Sequence, residues 1–142
     1  MKKALGIDLG AARVGLALCD DLGMLAHPLE TVNVKGVGDI AGYVARVVEK
    51  EKVEVVVIGL PRNMDGSHGP AAVHAREFGE KLRAKVPGCE VVYWDERMTT
   101  VAAQRALHEA GRNVKKSRAV IDQVAAQMIL QGYLDAEAMR RE

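Results

Sequence analysis

Acidic residues interrupt apolar segments at three widely separated places in this 142-residue chain. Asp8 lies inside the apolar run 4–9, Asp95 and Glu96 close a second apolar run, and Asp122 lies within an apolar stripe near the C-terminal end. A carboxylate in such surroundings is costly to bury unless it is paired, hydrogen-bonded or bound to a cation. These acids are therefore the first candidates for chemistry.

Separated acids that converge raise one another's pKa unless a positive charge lies between them. Mg²⁺ and Mn²⁺ supply that charge and prefer oxygen ligands. Two such ions roughly 3.5–4 Å apart can activate a water and stabilise the leaving oxygen in phosphodiester hydrolysis. Because side chains alternate along a strand, at most one of Asp95 and Glu96 is expected to join Asp8, and the residues alone leave both open.

Each acid also has a purely structural interpretation. Asp8 could be tied to a turn amide or to Arg13, and the acids after residue 94 could be solvated charges where a strand meets a loop. Asp122 falls on one helical stripe with Ala119, Ala126 and Ile129, so a solvated helix charge fits poorly. A buried ion pair is the better structural alternative there.

Two segments could contact phosphates. The segment 112–118 carries four basic residues and no acid, which predicts a phosphate-backbone patch, although a solvated linker fits equally well. The loop 61–67 follows an apolar strand and precedes a helix whose first amides could hold a phosphate. We expect both segments to border the site.

Hydrophobic periodicity predicts the elements that must position these residues. The predicted elements are strands 4–9 and 14–19, a weaker strand 29–34, helix 37–51, strand 53–60, a helix lined by 71–82, strand 90–95, a helix from Thr99 or Thr100 through Ala110, and a last helix over about 118–138. Early strands with short links, followed by strands that alternate with helices, predict an α/β mixed sheet with helices on both faces. We expect residues 1–142 to form one domain.

Composition excludes several classes of partner. Twenty Lys and Arg against nineteen Asp and Glu give a net charge of +1, so bulk charge does not select a nucleic acid. Five aromatic residues argue against a surface that stacks successive bases. Cys19 and Cys89 lack metal-ligand spacing, and no signal peptide or membrane-spanning run is present, so we expect a cytoplasmic protein.

Four sequence blocks, 6–17, 59–66, 95–100 and 122–134, together resemble the bacterial YqgF/RuvX family and occur in that family's order. The resemblance implies a ribonuclease H-like fold with a five-stranded sheet. It also implies a metal-dependent nuclease that processes the 5′ end of precursor 16S rRNA, or alternatively a Holliday junction resolvase. The family's acids fall on Asp8, Glu96 and Asp122.

The residues and the resemblance predict the same mechanism. Asp8 would bridge two Mg²⁺ or Mn²⁺ ions, and Glu96 and Asp122 would each complete the shell of one. The expected partners are precursor rRNA, within ribosomal precursor particles, or branched DNA, bound by a monomer or homodimer away from any membrane. The residues expected to position phosphates are Arg13, Arg62, Asn63, Arg97, Arg112, Lys115, Lys116 and Arg118.

Two other functions are weaker alternatives. A nucleotide-binding fold of the actin and sugar-kinase type also begins with Asp-x-Gly, but it needs a second domain for which 142 residues leave no room. A non-catalytic module that binds rRNA is the other, because a fold alone does not decide function. The presence of all three acids argues against it.

Overall fold

The computed structural model of the protein describes residues 2–61, 69–96 and 118–140. Four helices and five strands occur within these ranges. In chain order they are β1 (Ala4–Leu9), β2 (Arg13–Cys19), β3 (Ala26–Asn33), α1 (Val34–Val37), α2 (Ile40–Glu51), β4 (Val55–Leu60), α3 (Pro70–Lys85), β5 (Glu90–Asp95) and α4 (Arg118–Arg140).

The strands form one mixed sheet in the order β3-β2-β1-β4-β5. The β1–β2 and β2–β3 pairs are antiparallel, whereas β4 runs parallel to both β1 and β5. Every residue of β4 is buried, as expected for a parallel strand covered on both faces. The carboxyl ends of β1, β4 and β5 therefore meet at one edge of the sheet, which is where Asp8 and Glu96 lie.

Helices cover the two faces of the sheet with separate cores. Helices α2 and α3 bury one face around Leu5, Ile7 and Ile58, and α4 buries the other around Ala17, Val57 and similar residues. The mixed sheet and its two helical layers confirm the predicted architecture. No helix in the described ranges has the length and apolar character needed to cross a membrane.

Helix α4 approaches the sheet closely because the sheet presents glycines beneath it. A Cβ placed on Gly6 would lie 2.7 Å from Leu130 Cβ and 2.8 Å from the Ala126 carbonyl oxygen. A Cβ placed on Gly15 would overlap the carbonyl oxygen of Asp122. The backbone of α4 thus rests on β1 and β2, and this contact fixes where Asp122 stands.

The predicted element boundaries need two corrections. Strand β3 begins at Ala26 rather than residue 29, because Pro28 is tolerated on an edge strand whose only partner is β2. The predicted helix 37–51 begins at Ile40 instead, since Gly38, with a φ of 80°, separates it from the short helix α1 that ends at Val37. Asp39 then caps α2 by accepting a hydrogen bond from the Gly42 amide at 3.1 Å.

Three predicted segments fall outside the described residues. They are the loop 61–67 beyond Pro61, the helix from Thr99 or Thr100 through Ala110, and the basic segment 112–117. The other predicted strands and helices are confirmed to within a few residues at their ends, and the last helix continues to Arg140.

The contact between α4 and β2 predicts the effect of a single methyl group. Gly15→Ala should lower the free energy of unfolding by about 2 kcal/mol, because the new Cβ must push the Asp122 carbonyl away from the sheet. Urea denaturation measures the change. Gly88→Ala is the control, since its Cβ would meet nothing within 4 Å. Equal stability of the two variants would contradict the packing described here.

Candidate functional site

Asp8 and Asp122 lie together on the α4 face of the sheet. Asp8 is paired across the β1–β2 ladder with Gly15. Because Gly15 has no side chain, the backbone of α4 at Asp122 occupies the space next to Asp8. The charge of Asp122 accordingly helps to raise the pKa of the Asp8 carboxyl. The sheet and the last helix thus bring together two acids that are 114 residues apart in sequence.

Glu96 reaches the same place from the other side. It follows directly after β5, and its Oε2 atom lies 3.2 Å from the position that a Cβ on Gly59 would take. Gly59 belongs to β4, which lies between β5 and β1. The carboxylate of Glu96 therefore extends across β4 toward Asp8, and the charge of Asp8 helps to raise its pKa.

Strand phase separates Glu96 from Asp95. Val92 and Trp94 pack on the α4 face, whereas Tyr93 packs against the core under α2 and α3. Since side chains alternate along a strand, Asp95 shares the face of Tyr93, and Glu96 is in phase with Trp94. Of the two acids that the sequence left open, Glu96 is the one that lies near Asp8.

Burial dominates the electrostatics of the acid cluster formed by Asp8, Glu96 and Asp122. Desolvation, followed by the charge of Asp122, raises the pKa of Asp8 to about 6. Desolvation, followed by the charges of Asp8 and Asp95, raises the pKa of Glu96 to about 7. Asp8 is influenced by Asp122 and itself influences Glu96, so it is the central acid. Bringing a cation to the cluster would lower both pKa values.

Asp122 has a cationic partner of its own. The Arg13 Nε donates a hydrogen bond to Asp122 Oδ2 at 2.8 Å, with 32% of the arginine side chain and 18% of the aspartate side chain exposed. The sequence offered a buried ion pair as the structural alternative for Asp122 without naming its partner, and it offered Arg13 as a partner of Asp8; the structure pairs Arg13 with Asp122. Within the described ranges, no three His, Cys, Asp or Glu side chains are already arranged as a metal-binding group.

Most of the predicted phosphate-positioning residues lie outside the described residues. Arg13 is the one whose side chain is described, and it lies against the acid cluster. Arg118 is described only as the first residue of α4. Residues outside the described ranges are Arg62, Asn63, Arg97, Arg112, Lys115 and Lys116.

The sequence did not single out the residues that support Glu96. Trp94 stacks edge-on against Tyr133 with ring centroids 6.4 Å apart, and its indole nitrogen lies 3.0 Å from where a Cβ on Gly132 would be. These contacts hold the end of β5 against α4. One signal was available in the sequence. Gly59 lies at the carboxyl end of a predicted central strand, and a glycine there permits another side chain to approach the strand closely.

A cavity of about 740 Å³ lies away from the acid cluster. It is lined by Lys2, Glu54 and Glu90, which precede or begin strands, and by the C-terminal part of α4. It therefore lies at the opposite edge of the sheet. Its lining mixes both signs of charge and shares no residue with the acid cluster.

The acid cluster can hold hard cations through carboxylate oxygens, and it offers no sulfur or imidazole ligand among its members. Asp8 and Glu96 are both partly shielded from solvent and repel one another when ionised. A divalent cation between two such carboxylates would offset their mutual repulsion. The arrangement is suited to chemistry in which negative charge must be neutralised.

Comparison with known proteins gives a family match over most of the chain. A family model described as "RuvX: Holliday junction resolvase" matches residues 2–136. A protein of Halalkalibacterium halodurans named "Putative pre-16S rRNA nuclease" is 45% identical over 140 residues, which are 97% of this chain and 99% of that protein. A protein of the same name from a Nocardioides species is 49% identical over 137 residues, 94% of this chain and 87% of its own.

A solved structure shares the fold. Thermus thermophilus RuvC, determined in complex with a Holliday junction substrate, aligns with a TM-score of 0.62 at 16% identity and covers 96% of this chain and 97% of its own. At that identity the likeness concerns the fold. It confirms the ribonuclease H-like fold that the sequence resemblance implied.

The raised pKa of Asp8 predicts how stability depends on pH. Its native pKa of about 6 exceeds the unfolded value of 3.8, so the stabilisation by its proton is present at low pH and is lost as pH rises through 6. In chelator-treated protein, Asp8→Asn should therefore raise the free energy of unfolding at pH 8 by on the order of 2 kcal/mol. Urea unfolding at pH 5 should show a smaller gain.

Asp21→Asn is the control for this measurement, because it removes a carboxylate that is 98% exposed and so reports the general effect of losing one negative charge. If Asp8→Asn raises the free energy of unfolding no more at pH 8 than at pH 5, the result would contradict a raised pKa for Asp8 in the native protein.

Proposed function

The chain belongs to the RuvX family, and we propose that it is a nuclease that hydrolyses phosphodiester bonds with Mg²⁺ or Mn²⁺ held by Asp8, Glu96 and Asp122. The observation that supports this most is the convergence of Asp8 and Glu96 from β1 and β5. Burial and the negative charge of neighbouring acids raise the pKa of both carboxyls, and a divalent cation bound between them would offset that repulsion.

The donor set fits a divalent metal. Carboxylate oxygens are the ligands that Mg²⁺ and Mn²⁺ prefer, and two of the three carboxylates lie partly buried beside each other. Asp8, the central acid, would be shared between two ions, while Glu96 and Asp122 would each hold one. Among the contacts that are described, the polar partner of the Asp122 side chain is Arg13.

Each residue of the cluster has a separate task. Bound divalent ions supply an activated water and neutralise charge on the departing oxygen. Asp8 is held in place by β1 and Glu96 by the end of β5, and bound cations would lower the pKa of both carboxyls and so keep them ionised. Gly59 leaves the room that Glu96 needs above β4, and Trp94 anchors the strand end that carries it. Preorganised charges of this kind need no rearrangement when the reaction begins.

The substrate proposed is precursor 16S rRNA, the substrate in the names of the relatives that are 45% and 49% identical. Phosphate contacts without base readout would come from Arg13 near the acids and from one amide and several basic side chains in the sequence between β4 and α3 and between β5 and the first residue of α4. These residues are Arg62, Asn63, Arg97, Arg112, Lys115, Lys116 and Arg118. A function on precursor rRNA corresponds to a cytoplasmic protein.

A second candidate is Holliday junction resolution, favoured by the description of the family. A resolvase cuts two strands symmetrically, so it requires two copies of the acid cluster and hence a homodimer. Processing of an rRNA end needs one copy and is compatible with a monomer. The substrate and the oligomeric state are therefore linked.

Substitutions of neighbouring acids test the metal ligands. Glu96→Gln and Asp8→Asn should each reduce Mn²⁺-dependent cleavage at least about a hundredfold, because each removes a charged ligand without changing shape. Asp95→Asn is the matched control one residue away and on the other face of the sheet, and it should retain most of the rate. Cleavage rates of a nucleic acid, with circular dichroism to verify folding, measure this. A larger loss for Asp95→Asn than for Glu96→Gln would contradict the assignment.

Digestion of two substrates in parallel tests the function itself. The purified protein with Mn²⁺ should cleave a 5′ leader of precursor 16S rRNA faster than a four-way DNA junction of equal length, and chelator should stop both. Paired symmetrical cuts in the junction, with the rRNA leader intact, would support the resolvase instead. Binding of either substrate without any cleavage would contradict a nuclease and favour a module that only binds rRNA.

A further inference from the structure

Arg13 is in direct contact with the acid cluster through Asp122. Its Nε atom donates to Asp122 Oδ2 at 2.8 Å, and both side chains are partly shielded from water. The charge of Asp122 nevertheless still raises the pKa of Asp8. Arg13 therefore pairs with Asp122 without removing the repulsion between Asp122 and Asp8.

The backbones that carry the pair are fixed. The Gly10 amide donates to the Arg13 carbonyl at 3.0 Å, which closes the turn between β1 and β2. On the other side, the carbonyl of Asp122 lies directly over Gly15. The backbones at Arg13 and Asp122 are therefore both held in place. The ion pair separates only when the arginine side chain rotates toward solvent, to which about a third of it is already exposed.

A divalent cation on Asp122 would compete with this arginine. Two cations that approach one carboxylate repel each other, and the repulsion is strong where solvent is partly excluded. A partly exposed ion pair contributes little to stability, so its bond can be broken at small cost. The phosphate of a nucleic acid offers the guanidinium an alternative partner of the same geometry.

We propose that Arg13 is the resident counter-cation of Asp122, and that it moves from this carboxylate to a substrate phosphate when divalent cations occupy the acid cluster. This inference rests on the proposed nuclease function. Arg13 is a positioning residue in this scheme, because it acts on the third acid before it contacts the substrate.

The exchange couples metal binding to nucleic-acid binding. Without substrate, the arginine competes with the cation for Asp122 and weakens metal affinity. With substrate, a phosphate holds the arginine away, and the full set of acids becomes available. By thermodynamic linkage the cation must then strengthen nucleic-acid binding by the same factor. Binding of a phosphodiester thus frees all three carboxylates of the acid cluster to bind divalent cations.

Titration calorimetry with Mn²⁺ and no nucleic acid tests the competition. Arg13→Gln should bind Mn²⁺ about tenfold more tightly than the native protein, because Asp122 is released. In the Asp122→Asn background, the same substitution should change the affinity less than about twofold, because the arginine then has no carboxylate to block. Arg83→Gln, which removes an arginine paired with Glu80 on α3, is the control and should leave the affinity unchanged.

A spectroscopic measurement follows the arginine directly. In the native protein, the Arg13 Nε–H resonance should be protected from solvent exchange without metal and should lose that protection when diamagnetic Mg²⁺ is added. An arginine that only stabilises the fold would keep its protection in Mg²⁺, and that result would overturn the exchange.

The calorimetric outcomes separate this inference from the proposed function. Equal or weaker Mn²⁺ binding by Arg13→Gln would overturn the exchange alone, as would an equal gain in the Asp122→Asn background, which would indicate only a general charge effect. Absence of Mn²⁺ binding by the native protein and by every variant would overturn the proposed function and the exchange together.

Discussion

The close contact of α4 with the glycines of β1 and β2 is the constraint on which the site depends. Side chains at Gly6 or Gly15 would hold the helix away from the sheet. With glycine at both positions, the backbone of the last helix lies on the strand pair, and Asp122 arrives beside Asp8. Without this contact, the sheet would remain but Asp122 would no longer lie beside Asp8.

The acid cluster is maintained at a cost to the fold. Asp8 and Glu96 are desolvated and repel one another, and the native protein holds their pKa values at about 6 and about 7. Strained or repulsive groups of this kind persist where function requires them, because rigid surroundings hold them in place. Here the rigidity comes from β4, every residue of which is buried, and from Trp94 packed against α4.

Much of the fold follows from local sequence, whereas the site needed tertiary information. Strand β4 is predictable because a continuous run of β-branched, apolar residues is typical of a central parallel strand that is covered on both faces. The start of α2 at Ile40 was missed because the apolar spacing continues from Val37 across Gly38, whose positive φ is not visible in periodicity. Asp8 and Asp122 were recognisable in the sequence as acids in apolar surroundings. The choice of Glu96 over Asp95 needed the structure, which shows that Trp94 packs on the α4 face and Tyr93 on the other. The Arg13–Asp122 bond depends on how closely α4 packs and could not be read from spacing.

Anomalous diffraction from crystals soaked in Mn²⁺ tests the central claim most directly, because it locates the cation without reference to activity. We expect manganese peaks at the carboxyl edge of the sheet, within coordination distance of Asp8, Glu96 and Asp122. Peaks confined to the opposite edge, at Glu54, Glu90 and Glu137 in the 740 Å³ cavity, with none at Asp8, would contradict it.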